Sequence, residues 1–135
     1  VKGDESLARP KSITLTEAEL KLMDVLWEKG ELAVKDVVDA LPDRSAPAYN
    51  SVLTILRILE RKGYVRHRKE GRAFVYRTVV ARQEARAGAV QHLVRRFFEN
   101  SHEALVLSLL EDEAIDHQDL ERLRKAIDDS RKDSR

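Results

Sequence analysis

The chain has 135 residues with 25 basic and 24 acidic side chains, a net charge of +1, so its overall charge points to no polyanionic partner. It has no cysteine, which excludes disulfides and thiolate metal sites, and no run of about 18 apolar residues that would cross a bilayer. A hydrophobic share of 42% suffices for a core, while 36% charged residues fit a small, helix-rich protein with much solvated surface. With no apolar leader at the N-terminus, a soluble, cytoplasmic protein is expected.

Residues 1–13 are polar and aperiodic and are expected to form a flexible arm. Thr16-Glu-Ala-Glu19 is a capping box that opens a helix, and Gly30 stops it. Leu20, Met23, Leu26 and Trp27 are its expected inner face, with Leu22 and Val25 beside it. Residues 32–34 read as a short strand, and a second helix over 35–41 turns Val37, Val38 and Leu41 inward before Pro42 ends it. A turn over 42–47 follows, in which Ser45 is placed to cap a third helix and Pro47 suits its first turn.

That third helix, over 49–62, carries two stripes. Val52, Ile55, Leu56 and Leu59 fall at i, i+3, i+4 and i+7, the spacing of a buried face. Asn50, Thr54, Arg57 and Arg61 occupy another face and can all hydrogen-bond outward. Gly63 closes the helix in a left-handed conformation. Strands over 64–68 and 73–78 flank 69–72, where Glu70-Gly71 resembles the two-residue hairpin signal. By the period of two, Arg66 and Arg68 share one face, while Val65 and His67 take the other. His67 reads as a packing or phosphate-contact residue.

From residue 81 the pattern is helical. A helix over 81–99 presents Ala85, Ala89, Val90, Leu93, Val94 and Phe97 on one broad stripe, with Phe98 added. Asn100 or Ser101 caps the next helix, whose Leu105, Val106, Leu107, Leu109 and Leu110 make it apolar nearly all round and call for burial on several sides. Asp116 caps a last helix with Leu120, Leu123 and Ile127 inward, and 129–135 read as a flexible, charged tail. Three short helices with this much apolar surface are poor as an independent monomer. Residues 81–128 are therefore expected to be a dimerisation domain held by Val90, Leu93, Val94, Phe97, Leu105, Leu109, Leu110, Leu120, Leu123 and Ile127.

Charge divides the same way. Between Arg57 and Arg77 stand eight basic residues against Glu60 and Glu70, a local net of +6, whereas from Glu99 to Glu121 there are eight acidic residues and no Lys or Arg. Phosphate would be drawn to the first stretch and repelled by the second. The third helix alone fits an ordinary amphipathic helix with solvated charges; the basic hairpin after it moves the balance to double-stranded DNA.

The major groove admits one such helix. Asn50 can pair bidentately with adenine and Arg57 with guanine, while Ser51 and Thr54 can bond bases or phosphates. Tyr49, Arg61, Lys62, Arg66, Arg68, Lys69 and Arg72 are the expected backbone contacts, which set register without reading sequence. Leu53 suits either a thymine methyl or the core. The fold class is thus mainly α: a winged helix-turn-helix over 14–80, with three helices and a small β-hairpin wing, followed by a three-helix dimerisation domain.

These pieces resemble the penicillinase-repressor family of bacterial transcription factors (BlaI/MecI type). The matching residues are Leu15-Thr16 with Glu19, Met23 and Leu26-Trp27; Tyr49 to Leu56 with Leu59 and Lys62-Gly63; Gly71-Arg72-Ala-Phe-Val-Tyr76; and Phe97-Phe98. The resemblance implies a homodimeric repressor on a palindromic operator, controlling β-lactamase or resistant penicillin-binding protein genes. It also implies release when a membrane sensor with a zinc-protease domain triggers cleavage in the fifth helix. By position, Asn50, Ser51 and Thr54 match the family's base-contacting residues.

Leu53 stands where some members read bases with a basic residue, and Ile58 where arginine is common, so no operator sequence carries over. The family's Asn–Phe cleavage bond aligns with Ser108-Leu109 here. The copper-responsive branch relies on C-terminal cysteines, which this chain lacks.

The alternative is a metal- or ligand-responsive winged-helix regulator without proteolytic release, for which His102, Glu103, His117 and Asp119 are the residue types. Catalysis is not expected, since no nucleophile turn or oxyanion motif accompanies Ser101-His102 or Asp116-His117. No cofactor is called for.

Overall fold

The computed structural model describes residues 14–41 and 49–133. The expected arm over 1–13, the turn over 42–47 with its Ser45 cap, and the last two residues lie outside the described residues. The described chain runs α1 (Glu17–Lys29), β1 (Leu32–Ala33), α2 (Val34–Ala40), α3 (Tyr49–Lys62), β2 (Val65–Glu70), β3 (Ala73–Thr78), α4 (Arg82–Phe97), α5 (His102–Leu110) and α6 (His117–Asp133). It divides into two compact units, 1–92 and 93–135. The expected boundary lay at residue 80, whereas the units part within α4.

In the first unit α1 begins as its sequence dictates. The Thr16 hydroxyl accepts the Glu19 amide at 3.1 Å, and the Thr16 amide donates back to Glu19 Oε1 at 2.8 Å. Its inner face differs from the expected one. Glu19, Leu22, Met23, Val25 and Leu26 are buried, whereas Leu20 is 42% exposed. The buried stripe follows 19, 22, 23 and 26, which leaves Leu20 on the flank. Trp27 packs at the edge of the core and donates its indole N–H to the Val80 carbonyl at 2.9 Å.

On α3, Val52, Leu56 and Leu59 are fully buried and Ile55 packs beside them. The helix ends in a Schellman turn. The Gly63 amide donates to the Glu60 carbonyl and the Tyr64 amide to the Leu59 carbonyl, with Gly63 at φ 91°, where a side chain would be strained.

The sheet is three-stranded and antiparallel in the order β1-β3-β2. β2 runs two residues further than the sequence suggests, so Glu70 pairs with Ala73 and the connection is Gly71-Arg72 rather than Glu70-Gly71. Gly71 takes φ 63° while Arg72 is not left-handed, as a type II′ turn requires. Tyr64, Val65 and Tyr76 close the core from the sheet side.

The second unit holds the end of α4, then α5 and α6. Two consecutive left-handed residues, Glu99 (φ 49°) and Asn100 (φ 67°), turn the chain after α4. Ser101 caps α5 by accepting the Ala104 amide at 3.0 Å. Asp116 and Asp119 form a reciprocal cap at the start of α6, and α6 continues through Asp133 instead of fraying at residue 129. Nothing in 128–133 breaks a helix, which accounts for the difference. Val94 is the one buried hydrophobic residue among the described residues of this unit, and no residue of α5 is buried. The burial expected for α5 is therefore not supplied by its own chain.

Among the described residues, no helix is long and apolar enough to cross a membrane.

Candidate nucleic-acid interface

Alternation along α3 decides what faces outward. With Val52, Leu56 and Leu59 held in the core, the opposite face presents Asn50, Ser51, Thr54, Arg57 and Arg61, all exposed. Thr54 donates its hydroxyl proton to the Asn50 carbonyl at 2.9 Å, so outward it offers lone pairs and a methyl group. Tyr49, the first residue of α3, is also exposed. Leu53 packs against the core as a partly buried residue.

The wing adds charge in register. Arg66 pairs directly with Arg77 across β2 and β3, and Arg68 follows on the same face. Two like charges directly opposite destabilise a free hairpin, and a bound anion relieves them. Neither guanidinium has an ion pair among the described residues. Arg77 is one of the eight basic residues of the stretch but not an expected contact; the strand register puts it beside Arg66. Arg72 sits exposed at the turn, and Lys69 lies 6.0 Å over the Phe74 ring.

Two expected clamp residues are engaged elsewhere. Lys62 donates to Glu19 Oε1 at 2.9 Å and to the Thr14 carbonyl at 3.2 Å, so its ammonium is held inside the head rather than presented to a phosphate. Arg68 donates to Glu31 at 3.0 Å and has Glu70 at 3.6 Å, which compensates much of its charge locally. A phosphate contact by Lys62, as expected from the sequence, would have to compete with Glu19 for the ammonium.

Glu19 emerges instead as a residue the sequence revealed only as a cap. It is 4% exposed and ties the start of α1 to the end of α3. Burial pushes its pKa up, but hydrogen bonds from Lys62 and the Thr16 amide and the Lys62 charge outweigh this and leave it below the usual value.

A second link joins helix and wing. His67 Nδ1 lies 2.7 Å from Glu60 Oε1; a carboxylate only accepts, so this nitrogen carries the proton. The ring also packs 5.7 Å from Phe74 and 5.2 Å from Tyr76, which makes His67 a packing residue. The Tyr76 hydroxyl is held above its ordinary pKa by burial and the Glu60 charge.

No three His, Asp or Glu side chains converge on a metal-sized site among the described residues. Asp119 is hydrogen-bonded to Arg122 at 2.6 Å, which lowers its pKa.

A family model described as Penicillinase repressor matches residues 15–129. The chain belongs to the penicillinase repressor family. Its relatives include the Penicillinase repressor of Bacillus licheniformis, 25% identical over 115 residues, covering 85% of this chain and 90% of that protein. The Transcriptional regulator BlaI of Mycobacterium tuberculosis is 33% identical over 119 residues, covering 87% and 85%. The solution structure of the DNA-binding domain of the repressor BlaI covers 56% of this chain and 92% of its own, with 31% identity and a TM-score of 0.49. The family match extends into both units of this chain, and the outward α3 face and the wing lie within the matched residues.

Proposed function

We propose that the chain is a homodimeric, sequence-specific repressor that binds a palindromic operator through α3 and the wing. The observation that carries this reading is the exposed row Asn50, Ser51, Thr54 and Arg57 on α3, next to the unpaired, directly opposed Arg66 and Arg77. The polar row reads base edges, and Arg61, Arg66, Lys69, Arg72 and Arg77 neutralise phosphates, with Tyr49 adding a phosphate contact. Arg68 contributes less, because Glu31 already holds it.

Dimerisation through the second unit is supported by its uncovered apolar side chains, Phe97 at 67% and Leu109 at 49% exposure among them. A closed two-fold pair is the simplest assembly that covers such a face twice. By the family, the regulated genes are those of β-lactam resistance or the response to cell-wall damage, and release by cleavage in α5 calls for a sensor protease whose preference differs from the Asn–Phe type, since Ser108-Leu109 stands at that bond. Ser108 and Leu109 are exposed in the single chain, so access to that bond depends on opening of the dimer.

Footprinting on the DNA upstream of the chain's own gene tests the reading. One protected palindrome is expected, with its half-sites about one helical turn or a multiple of it apart. Asn50→Ala should erase that footprint while leaving non-specific binding nearly intact. Protection that is uniform along the DNA, or unchanged by Asn50→Ala, would overturn it.

A further inference from the structure

α1 and the first half of α4 enclose an open groove of about 480 Å³, lined entirely by residues of the first unit. That volume falls in the range of small-molecule sites. Its apolar wall is made by Leu15, Leu20, Trp27 and Ala89. Leu20 is the α1 residue that the core leaves exposed. The Trp27 indole has already given its N–H to Val80, so it offers the groove carbon surface only.

The charged lining groups are Asp24 on α1 and Arg82 and Arg86 on α4. Arg82 lies 5.2 Å from the Trp27 ring centre and 3.6 Å from Asp24, and Arg86 stands a turn further along α4 with no ion pair among the described residues. Two guanidiniums thus line the groove against one carboxylate, of which only Arg82 is paired with it, and this leaves a surplus of positive charge at Arg86. His92 extends the same side. None of these groups belongs to the DNA-facing surface.

We propose that this groove binds a small apolar carboxylate, with its aryl or acyl body against Leu15, Leu20 and Trp27 and its anionic end on Arg86. The size admits a compact molecule rather than a peptide helix, and the charge surplus selects an anion over a neutral molecule of the same shape. A guanidinium meeting a carboxylate bidentately gives both the strength and the orientation. Because α4 runs on into the second unit, an occupant bridging α1 and α4 bears on the helix that joins the two units.

The chain has one tryptophan, and it lines the groove, so its fluorescence reports this site in the intact protein without DNA. The probe is 4-phenylbutyrate, with 4-phenylbutanol as its uncharged counterpart. Saturable change is expected with the carboxylate, and about tenfold weaker binding of the alcohol. Arg86→Gln should abolish that preference while leaving alcohol binding unchanged. Ala89→Phe, which fills the groove from an exposed helix position, should remove both signals without lowering the unfolding midpoint.

A saturating carboxylate should also raise the midpoint of the parent protein, as any ligand of the folded state does. No saturable change, equal binding of acid and alcohol, or an unaltered preference in Arg86→Gln would each overturn the proposal. Since DNA is absent throughout, failure here leaves the repressor reading untouched, and failure of that reading leaves the groove intact.

Discussion

The first unit buries Leu22, Met23, Leu56 and Tyr64 to 2% exposure or less, all within one connected cluster. The second unit is as rich in leucine and valine, yet buries Val94 alone among its described hydrophobic residues. The difference lies in how the apolar positions are arranged. In the head, two helices present stripes of i, i+3, i+4 and i+7 to a three-stranded sheet that faces them, so each stripe meets a complementary surface in the same chain. In α5, by contrast, the apolar residues surround the helix, and α4 and α6 cannot cover every side of it. A head that closes on itself and a base that does not is the arrangement expected if the base pairs with a second copy, as proposed above.

Breaking the base should have the largest effect. Phe97→Asp with Leu109→Asp places charge on the uncovered apolar faces and should turn a dimer into a monomer in sedimentation at micromolar concentration. Heads that bind singly lose the effective concentration of the second half-site, so operator affinity should fall by about 10²–10⁴-fold. If the unaltered chain sediments as a monomer, the contrast between the units has been misread.

Next comes the core of the head. Leu56→Ala removes a fully buried side chain and should cost about 2–5 kcal/mol in urea unfolding, independent of protein concentration. Leu109→Ala, at a half-exposed position, should cost stability only to the extent that dimerisation covers it, and so should depend on concentration. Equal, concentration-independent costs at the two positions would erase the distinction.

A smaller effect is expected at the seam between α1 and α3. Glu19→Gln removes the carboxylate that holds Lys62 and should cost about 1.5–3 kcal/mol, the range for a charge-assisted hydrogen bond. The folded-state pKa of Glu19 lies below its ordinary value of 4.5. Its contribution is therefore complete above about that pH and is lost as pH falls through the lower folded value. The parent should lose stability over that acid window more steeply than Glu19→Gln. Parallel pH profiles would show that Glu19 is not ionised in the folded head.

Much of the head was legible because local rules and tertiary packing agree there. The capping box at Thr16, the stripe of Val52, Leu56 and Leu59, and the Gly63 stop are each written within a few residues and survive in the fold. What escaped depends on pairings distant in sequence. Leu20 was expected inward because its spacing from Met23 and Trp27 suits a helix face, but which side of α1 meets α3 is set elsewhere. Lys62 looked like one more cation of a basic run until its partner 43 residues away was known. Arg77 looked no different from its neighbours until the strand register set it against Arg66. The end of α6 lies beyond the expected residue 128 because a charged stretch without Gly or Pro continues a helix well.

The smallest effect sharpens the comparison of charge. If the head's basic surface exists for phosphate, its substitutions should act with opposite sign on stability and on binding. Arg66→Ala removes one of two directly opposed cations, so the free protein should become more stable by about 0.2–1 kcal/mol. The same change removes a phosphate contact, and the slope of log K against log salt should flatten by about 0.9 on any DNA sequence. Arg68→Ala should flatten it less, because Glu31 already pairs with that guanidinium at 3.0 Å and competes with phosphate for it. Arg122→Ala in the second unit, whose partner is Asp119, should leave the slope unchanged. Unfolding in urea and a salt titration on non-specific DNA read these effects separately. An Arg66→Ala protein that loses stability and keeps its slope would mean that the opposed arginines serve the hairpin itself, and the clamp would then have to be sought on α3.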